Sequence, residues 1–518
     1  MNKNIVSLSV FSVAFILISF SLSAQGLGGL KRQYLPTGLG LSNQLEYSYD
    51  VNEKREIFEN WFNADYRSGG FSAGIRLDVF QPNDPNPAVS RGKEKYAGVS
   101  FKYLRYGLGN LRERLDVTVG NYYELFGRGL ILKSYEDRNV RIDNNLLGVR
   151  VIGKYANFIL KALTGTAENA KAERKDILHA ADLEYRGIKK LKFGASVASN
   201  LPEIEGLART VLASARIQPS VWHFDFYGEY GIKQNEDVQN ALNDGSSIIG
   251  KAMYGSVNFY QGSFALSGEY KYYDNYLFSS YDGTVIYNNP PSVRKEYSYV
   301  LLNRHPSPLN QNNERGFLIE AAYNFDYNTY LSAAYGETKT LNADSYYQKI
   351  IGSNNPVRTQ LKELYVQAKH DWSESFETIL AFGYNEELAT NTKNISPIIE
   401  THFYFDDVNT IKATFEHLHS TNRATEEQKY NDVLLVEYLR SPNLSVSWLV
   451  EMETTEPTTD HLVRKLYSFV QFGYYLADHT NLSLLIGTRQ AGNICIGGVC
   501  RYEPEFRGVE LKMTTRLY

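Results

Sequence analysis

The stretch ERLDVTVGNYYELFGRGLILKSYEDRNVRIDNNLLGVRVIGKY, Glu113–Tyr155, decides how the rest of the chain is read. It opens on a period-2 run, Glu113–Gly120, in which Leu115, Val117 and Val119 alternate with Arg114, Asp116 and Thr118, and it closes on a second strand-like run, Leu146–Tyr155. Between them Tyr122, Tyr123, Glu124, Arg128, Lys133, Tyr135, Glu136, Asp137, Arg138, Arg141 and Asp143 crowd around Leu130, Ile131 and Leu132. That apolar triplet does not suit an open-water loop. A charged, aromatic insert hung between two alternating strands points to a pore-type barrel with a loop folded inward.

The address comes from the first residues. Lys3 gives a positive start, Ile5 to Phe20 is almost continuously apolar, and small residues follow at Ser21, Ser23 and Ala24. This is the pattern of a secretory signal peptide over residues 1–24, cut near Ser23–Gln25, with no cysteine there for lipid attachment. Composition agrees with a barrel. The chain has 40 Tyr and 26 Phe against 2 Cys and 4 Met, and after the signal no apolar run is long enough for a membrane helix. A membrane barrel looks soluble to a hydropathy scan because each strand spends only half its side chains on lipid. A net charge of −4 gives no electrostatic reason to expect nucleic acid as a partner.

Beyond a Gly-rich segment, 25–40, alternation continues to the C-terminus. Phe71, Ala73, Ile75, Leu77 and Val79 share one face of a strand, and Ser72, Arg76 and Asp78 the other. Eleven short turns are expected near Arg67–Gly70, Leu108–Arg112, Gly153–Asn157, Arg186–Lys189, Gln218–Ser220, Gln261–Ser263, Asp326–Thr329, Trp372–Phe376, Asp406–Asn409, Ser441–Asn443 and Asp478–Asn481. Nearly all hold the Gly, Pro, Asn, Asp or Ser that tight turns need. Longer segments such as 121–145 and 277–314 lie between them. The expectation is an all-β fold: residues 41–518 forming one transmembrane antiparallel β-barrel of about 24 strands (range 18–24), with short periplasmic turns, long extracellular loops and an inserted loop at 121–145. Two strands alternate poorly, Ile177–Tyr185 and Arg209–Ile217. A β-propeller or a pair of sandwiches is the rival arrangement.

The last strand, Phe506–Tyr518, ends the chain on an aromatic. In this it resembles outer-membrane barrels, in which such a strand is read by the barrel-assembly machinery. The signal ending in Ala24-Gln25, the tyrosine richness, the charged insert and the closing Leu146-Leu147-Gly148-Val149-Arg150-Val151 are similar to large porin-like barrels of the Bacteroidota, including alginate-export-like ones. The resemblance implies residence in the cell outer membrane, lipid as the surroundings, and solute passage. Resemblance to an energised transporter would imply a partner-binding box near the N-terminus, and none is read there; nor is an N-terminal plug domain expected, since Leu41 begins a strand soon after the signal.

The candidate residues follow from this frame. Arg128, Glu136, Asp137, Arg138, Arg141 and Asp143 of the insert are expected to pair with Arg76, Asp78, Arg114 and Asp116 on the lumen wall and to form a constriction, the bland alternative being a self-neutralising structural insert. Cys495 and Cys500 bracket Ile-Gly-Gly-Val in a chain sent to an oxidising compartment, so a disulfide is expected; two cysteines with no nearby histidine do not make a metal site. His417 and His419 share a strand face, but an interfacial place suits them better than a metal. Tyr281, Tyr287, Tyr297 and Tyr299 fall in the segment Ser279–Pro308, where exposed tyrosines would suit a sugar or a partner protein. The sequence carries no Ser-His-Asp order, nucleophile elbow or phosphate-binding glycine loop, so neither an enzyme nor a cofactor is expected. Two functions compete: a porin-like channel for small or oligomeric solutes, with 121–145 as its constriction, and a non-conducting scaffold or subunit of a secretion or surface-assembly complex.

Overall fold

The computed structural model describes residues 36–81, 95–110, 112–242, 245–304, 308–456, 462–476, 479–496 and 499–517. The expected leader, 1–24, and the terminal Tyr518 lie outside them. Twenty-four antiparallel strands form one sheet that closes on itself, the first strand Leu39–Asp50 pairing with the last, Phe506–Leu517, in the register Leu41↔Leu517 to Asp50↔Gly508. Closure removes every sheet edge, which is what allows strands to cross a membrane. No helix among the described residues is long and apolar enough to cross one.

The eleven expected short turns fall between paired strands, those at Leu108–Arg112 and Asp478–Asn481 lying partly outside the described residues, and the start of the first strand and the end of the last lie at the same rim. One turn is displaced. The reversal expected at Gln218–Ser220 falls at Trp222-His223, because the strand runs on to Val221 and Trp222 itself takes a positive φ of 55°. The opposite rim carries the long connections, among them the insert after Glu113–Tyr122, the segment between Phe264–Asp274 and Asn313–Asn324, and the segment between Thr359–Ser373 and its predecessor Thr329–Lys339.

The outward face is apolar as the alternation requires: Ile75, Leu104, Val119, Leu160, Ile319, Leu380 and Ile486 are exposed on it. Exposed rings gather at the short-turn rim, Tyr155, Phe158, Trp222, Phe325, Trp372, Phe405 and Tyr475. Aromatic rings at the edge of an apolar band are the girdle that places a barrel at a lipid–water boundary.

The core is in the lumen. The largest cluster of buried apolar side chains joins Phe126, Leu130, Ile131 and Leu132 of the insert to Tyr276, Phe278, Tyr287 and Leu302 of the segment 275–312, and both to Leu178, Ala180, Ala198, Leu212 and Ala252 on the wall. This accounts for the two poorly alternating strands. Leu178, Ala180 and Leu212 point inward yet are apolar, since what they face is a packed plug and not water.

Candidate functional site

The occluded lumen is built from two segments. The insert leaves the wall after Tyr122, turns back at Glu136–Asp137 against Ile142–Asp143, and rejoins the wall at Leu146. Its apolar half is held by burial. Phe126, Leu130, Ile131 and Leu132 are 0% exposed, worth roughly 1.5–3 kcal/mol each against leaving them in water. Partly exposed ion pairs contribute about 0–1 kcal/mol each, so packing fixes the insert and charge sets its orientation.

The charged half meets the wall as follows. Arg76, 4% exposed, gathers Asp78 at 3.1 Å and Glu136 at 3.0 Å, together with Asp143, and donates from Nε to Ser100 Oγ at 2.8 Å. Arg141 pairs with the buried Glu59. Arg138 donates to Glu136 at 2.8 Å and to Gln44 at 2.6 Å, and lies over the Trp61 ring with its guanidinium carbon 4.9 Å from the centroid. Glu124 accepts from Lys161 at 2.7 Å and from Arg150 at 3.3 Å.

Four of the expected residues do not join this network. Arg114 and Asp116 bind each other at 2.7 Å, with Arg105 at 3.1 Å from Asp116, near the short-turn rim and away from the insert. Their position two residues apart on one strand face satisfies both before the insert can reach them. Asp137 turns back on its own hairpin and accepts the Asn139 amide at 2.9 Å. Arg128 leaves the other charges and sits over Tyr227, 5.3 Å from the ring centroid.

The segment 275–304 with 308–312 is the larger correction, residues 305–307 lying outside the described residues. It is not a surface loop. Tyr287 and Tyr299 are buried, Tyr297 is half-buried against them, and Tyr281 is tied to the wall through its amide, which donates to Asp176 at 2.8 Å. An exposed sugar- or partner-binding set is therefore excluded for Tyr287 and Tyr299. The segment crosses the lumen and fastens on far strands: Tyr297 donates to Glu363 at 2.9 Å, the amides of Val300 and Leu301 donate to Glu416 at 3.0 and 2.8 Å, and Arg304 binds Glu451. Two wall glycines make room for it. A Cβ at Gly231 would lie 2.0 Å from the Tyr276 hydroxyl and one at Gly383 would lie 2.3 Å from Leu302 Cδ2.

The two segments also bind each other. Lys133 N donates to Tyr287 O at 2.8 Å, Asn289 N to Gly129 O at 3.1 Å and Asn288 Nδ2 to Leu130 O at 3.1 Å. Burial dominates the electrostatics of this interface. It pushes the Lys133 ammonium below the usual lysine range against the pull of Asp137 and Glu296, and it pushes the Tyr135 hydroxyl up to about 12. Tyr287, Tyr297 and Tyr299 are raised by burial first, then by Asp176, Glu363 and Glu400 respectively.

Sequence reasoning missed Glu59, Gln44, Trp61 and Glu416 as wall contacts. Each stands on the polar side of an alternating strand, but nothing local says which inward residue a distant loop will reach. Cys495 and Cys500 stand directly opposite each other in the hairpin Gly492–Ile496 with Val499–Glu503; their side chains, and so the expected bridge, lie outside the described residues. Among the described residues no group of three or more metal-ligating side chains is present. His417 instead lies 2.8 Å from Asp432, and His419 stacks on Tyr430.

A family model described as "Family of unknown function (DUF6029)" matches residues 1–517. No curated protein sequence matches. Solved structures similar in fold include the P pilus usher (PapC) translocation pore, at 10% identity and a TM-score of 0.48 over 93% of this chain and 99% of that one. Others are the OccD1 (OprD) structure, at 12% and 0.37 over 67% and 89%, and the FrpB iron transporter from Neisseria meningitidis, at 9% and 0.41 over 94% and 82%. These neighbours are outer-membrane β-barrels.

Proposed function

For this chain, which belongs to the DUF6029 family of unknown function, we propose residence in the outer membrane as a channel whose lumen is closed by two inward-folded segments, 123–145 and 275–312. The short turns then face the periplasm and the long connections the exterior. The observation that carries this reading is the position of the insert. Its apolar side is packed on inward-facing wall residues and its charged side is bound to Glu59 and Arg76 on nearby strands of the wall. A sheet of this many strands encloses a channel far wider than its own side chains fill, so its permeability is set by what stands inside it. The protein supplies a path and a gate and, on this reading, no catalysis.

The test is planar-bilayer recording of the full chain beside a variant lacking Gly127–Arg138, with folding of both checked by heat-modifiable gel mobility. The intact protein is expected to conduct weakly or not at all, and the folded deletion variant to conduct well. A folded deletion variant as silent as the parent would remove the channel and favour a non-conducting scaffold that carries a secretion or surface-assembly partner.

A further inference from the structure

Below the plug, toward the short-turn rim, lies a cavity of about 880 Å³ whose roof is made by Arg128, Lys133 and Asn289–Arg294 and whose walls include Lys154, Lys161, Arg186 and Arg216. A second cavity of about 410 Å³ shares Arg128, Arg186, Gln218 and Tyr227 with it and continues to Lys189, Lys190 and Lys192 at the rim. The two make one passage from the turn up to the plug.

The charge lining it is unbalanced. Of the acids, Asp182 is taken by Arg216 in a two-pronged bond, and Glu184 is shared by Arg216 and Arg186. Lys161 is held by Glu124. That leaves Glu269 and Asp225 facing Arg128, Lys133, Lys154, Lys189, Lys190 and Lys192, and none of those six forms an ion pair among the described residues. Two of them also lie over rings, Arg128 over Tyr227 and Lys133 over Tyr135 at 4.8 Å, with Glu269 acting on the first and Asp137 and Glu296 on the second without forming an ion pair. Cations spaced from mouth to roof of a low-dielectric wall concentrate anions, and the larger volume is that of a small-molecule site.

We infer that this passage binds a small polyvalent anion, one carrying two or more carboxylates or phosphates, on the periplasmic side of the plug. The inference rests on the channel reading for the claim that the anion is cargo, but binding itself does not require conduction. The rim lysines attract the anion, and Arg128 and Lys133 stop it against the plug. Removing those charges weakens binding by the sum of several exposed-charge contributions, and salt competes with it.

Citrate is the probe, titrated calorimetrically into the full chain in zwitterionic detergent, with choline as the cationic control. The variant Lys154→Gln/Lys190→Gln/Lys192→Gln changes exposed side chains only. Lys171→Gln/Lys349→Gln/Lys465→Gln removes the same charge from exposed positions elsewhere. The expected result is saturable citrate binding, weakened about ten-fold in the first variant and by raised salt, unchanged in the second, with no choline binding. Absent citrate binding, or equal loss in both variants, overturns the inference. Citrate binding by a protein that is silent in bilayers even after the insert is deleted would keep the site and remove the channel. Conduction without citrate binding would do the reverse.

Discussion

Arg76 shows what the plug asks of a single residue. Its guanidinium is almost fully buried and stands within hydrogen-bonding or ion-pair reach of Asp78, Glu136 and Asp143, two of which belong to the insert. Arg76→Gln keeps most of the volume but leaves three carboxylates around an uncharged amide. Breaking a buried ionic cluster from one side costs on the order of 3 kcal/mol, and here that cost falls on the docking of the insert. The variant is expected to keep the barrel, shown by heat-modifiable mobility, and to release the insert, shown by faster proteolysis between Gly127 and Arg138 and a raised bilayer current. Arg114→Gln is the matched control. Its pair with Asp116 is part-exposed and solvent-screened and touches no plug segment, so proteolysis and current should stay at the parental level. The sequence placed both arginines on the lumen face and could not rank them. Alternation reports which way a side chain points, and burial under a loop depends on where residues sixty positions away come to rest.

At the scale of the element, the turns separate what is legible from what is not. Asp326 and Asp406 each accept two successive backbone amides, of Asn328 and Thr329 at 2.8 and 2.7 Å and of Val408 and Asn409 at 2.9 and 2.8 Å. These bonds hold both carboxyls below the usual carboxylate range, led in Asp326 by the Asn328 amide and in Asp406 by the Asn409 side chain. A carboxyl whose folded pKa is depressed contributes stability that is full above its ordinary pKa and is lost as pH falls through the folded one. Asp326→Asn/Asp406→Asn keeps an acceptor without a charge. Its unfolding midpoint in denaturant should therefore fall less than that of the parent between about pH 5 and pH 3, and parallel curves would show that the turns carry no such term. Such Asx turns are visible in sequence because the side chain itself supplies the reversal. Ala156, Lys190 and Trp222 also take positive φ in turns, at 51°, 63° and 55°. They announce nothing, which is why the reversal at Trp222 was expected a few residues early. The poor alternation of 177–185 and 209–217 was legible as an irregularity. Its cause, an apolar plug against the inner face, needed the three-dimensional arrangement.

For the whole molecule, the consequence is that the lumen is filled by two segments that share one core, and these are the two leaves of the gate in the channel we propose. Leu130, Ile131 and Leu132 come from one segment and Tyr276, Phe278 and Tyr287 from the other, and five hydrogen bonds cross between the segments. Either leaf alone would present a large apolar face to a wet lumen, which at roughly 25 cal/mol per Å² is costly enough to disorder it. Removing one leaf should then release the other, and the effects of two deletions should not add. The comparison is among a variant lacking Gly127–Arg138, one lacking Ile286–Val300, and the double deletion, all folded by gel mobility and recorded in the same bilayers. Shared-core coupling predicts that each single deletion reaches most of the double variant's conductance. Two independent leaves would instead give conductance increments that sum, and would place the closed state in the wall contacts at Glu59, Glu363 and Glu416 and not in the core between the segments. The far-wall contacts of 275–312 give this comparison its sign. That segment reaches Glu416 and Glu451, several strands beyond the pair it connects, while the insert reaches Glu59 to one side and Glu229 to the other. So both segments span part of the opening, and deleting the insert should first loosen the stretch around Tyr276, Phe278 and Tyr287, since the far stretch keeps its own apolar contacts, Tyr297 against Tyr365 and Leu301 in a cluster with Leu418 and Val433.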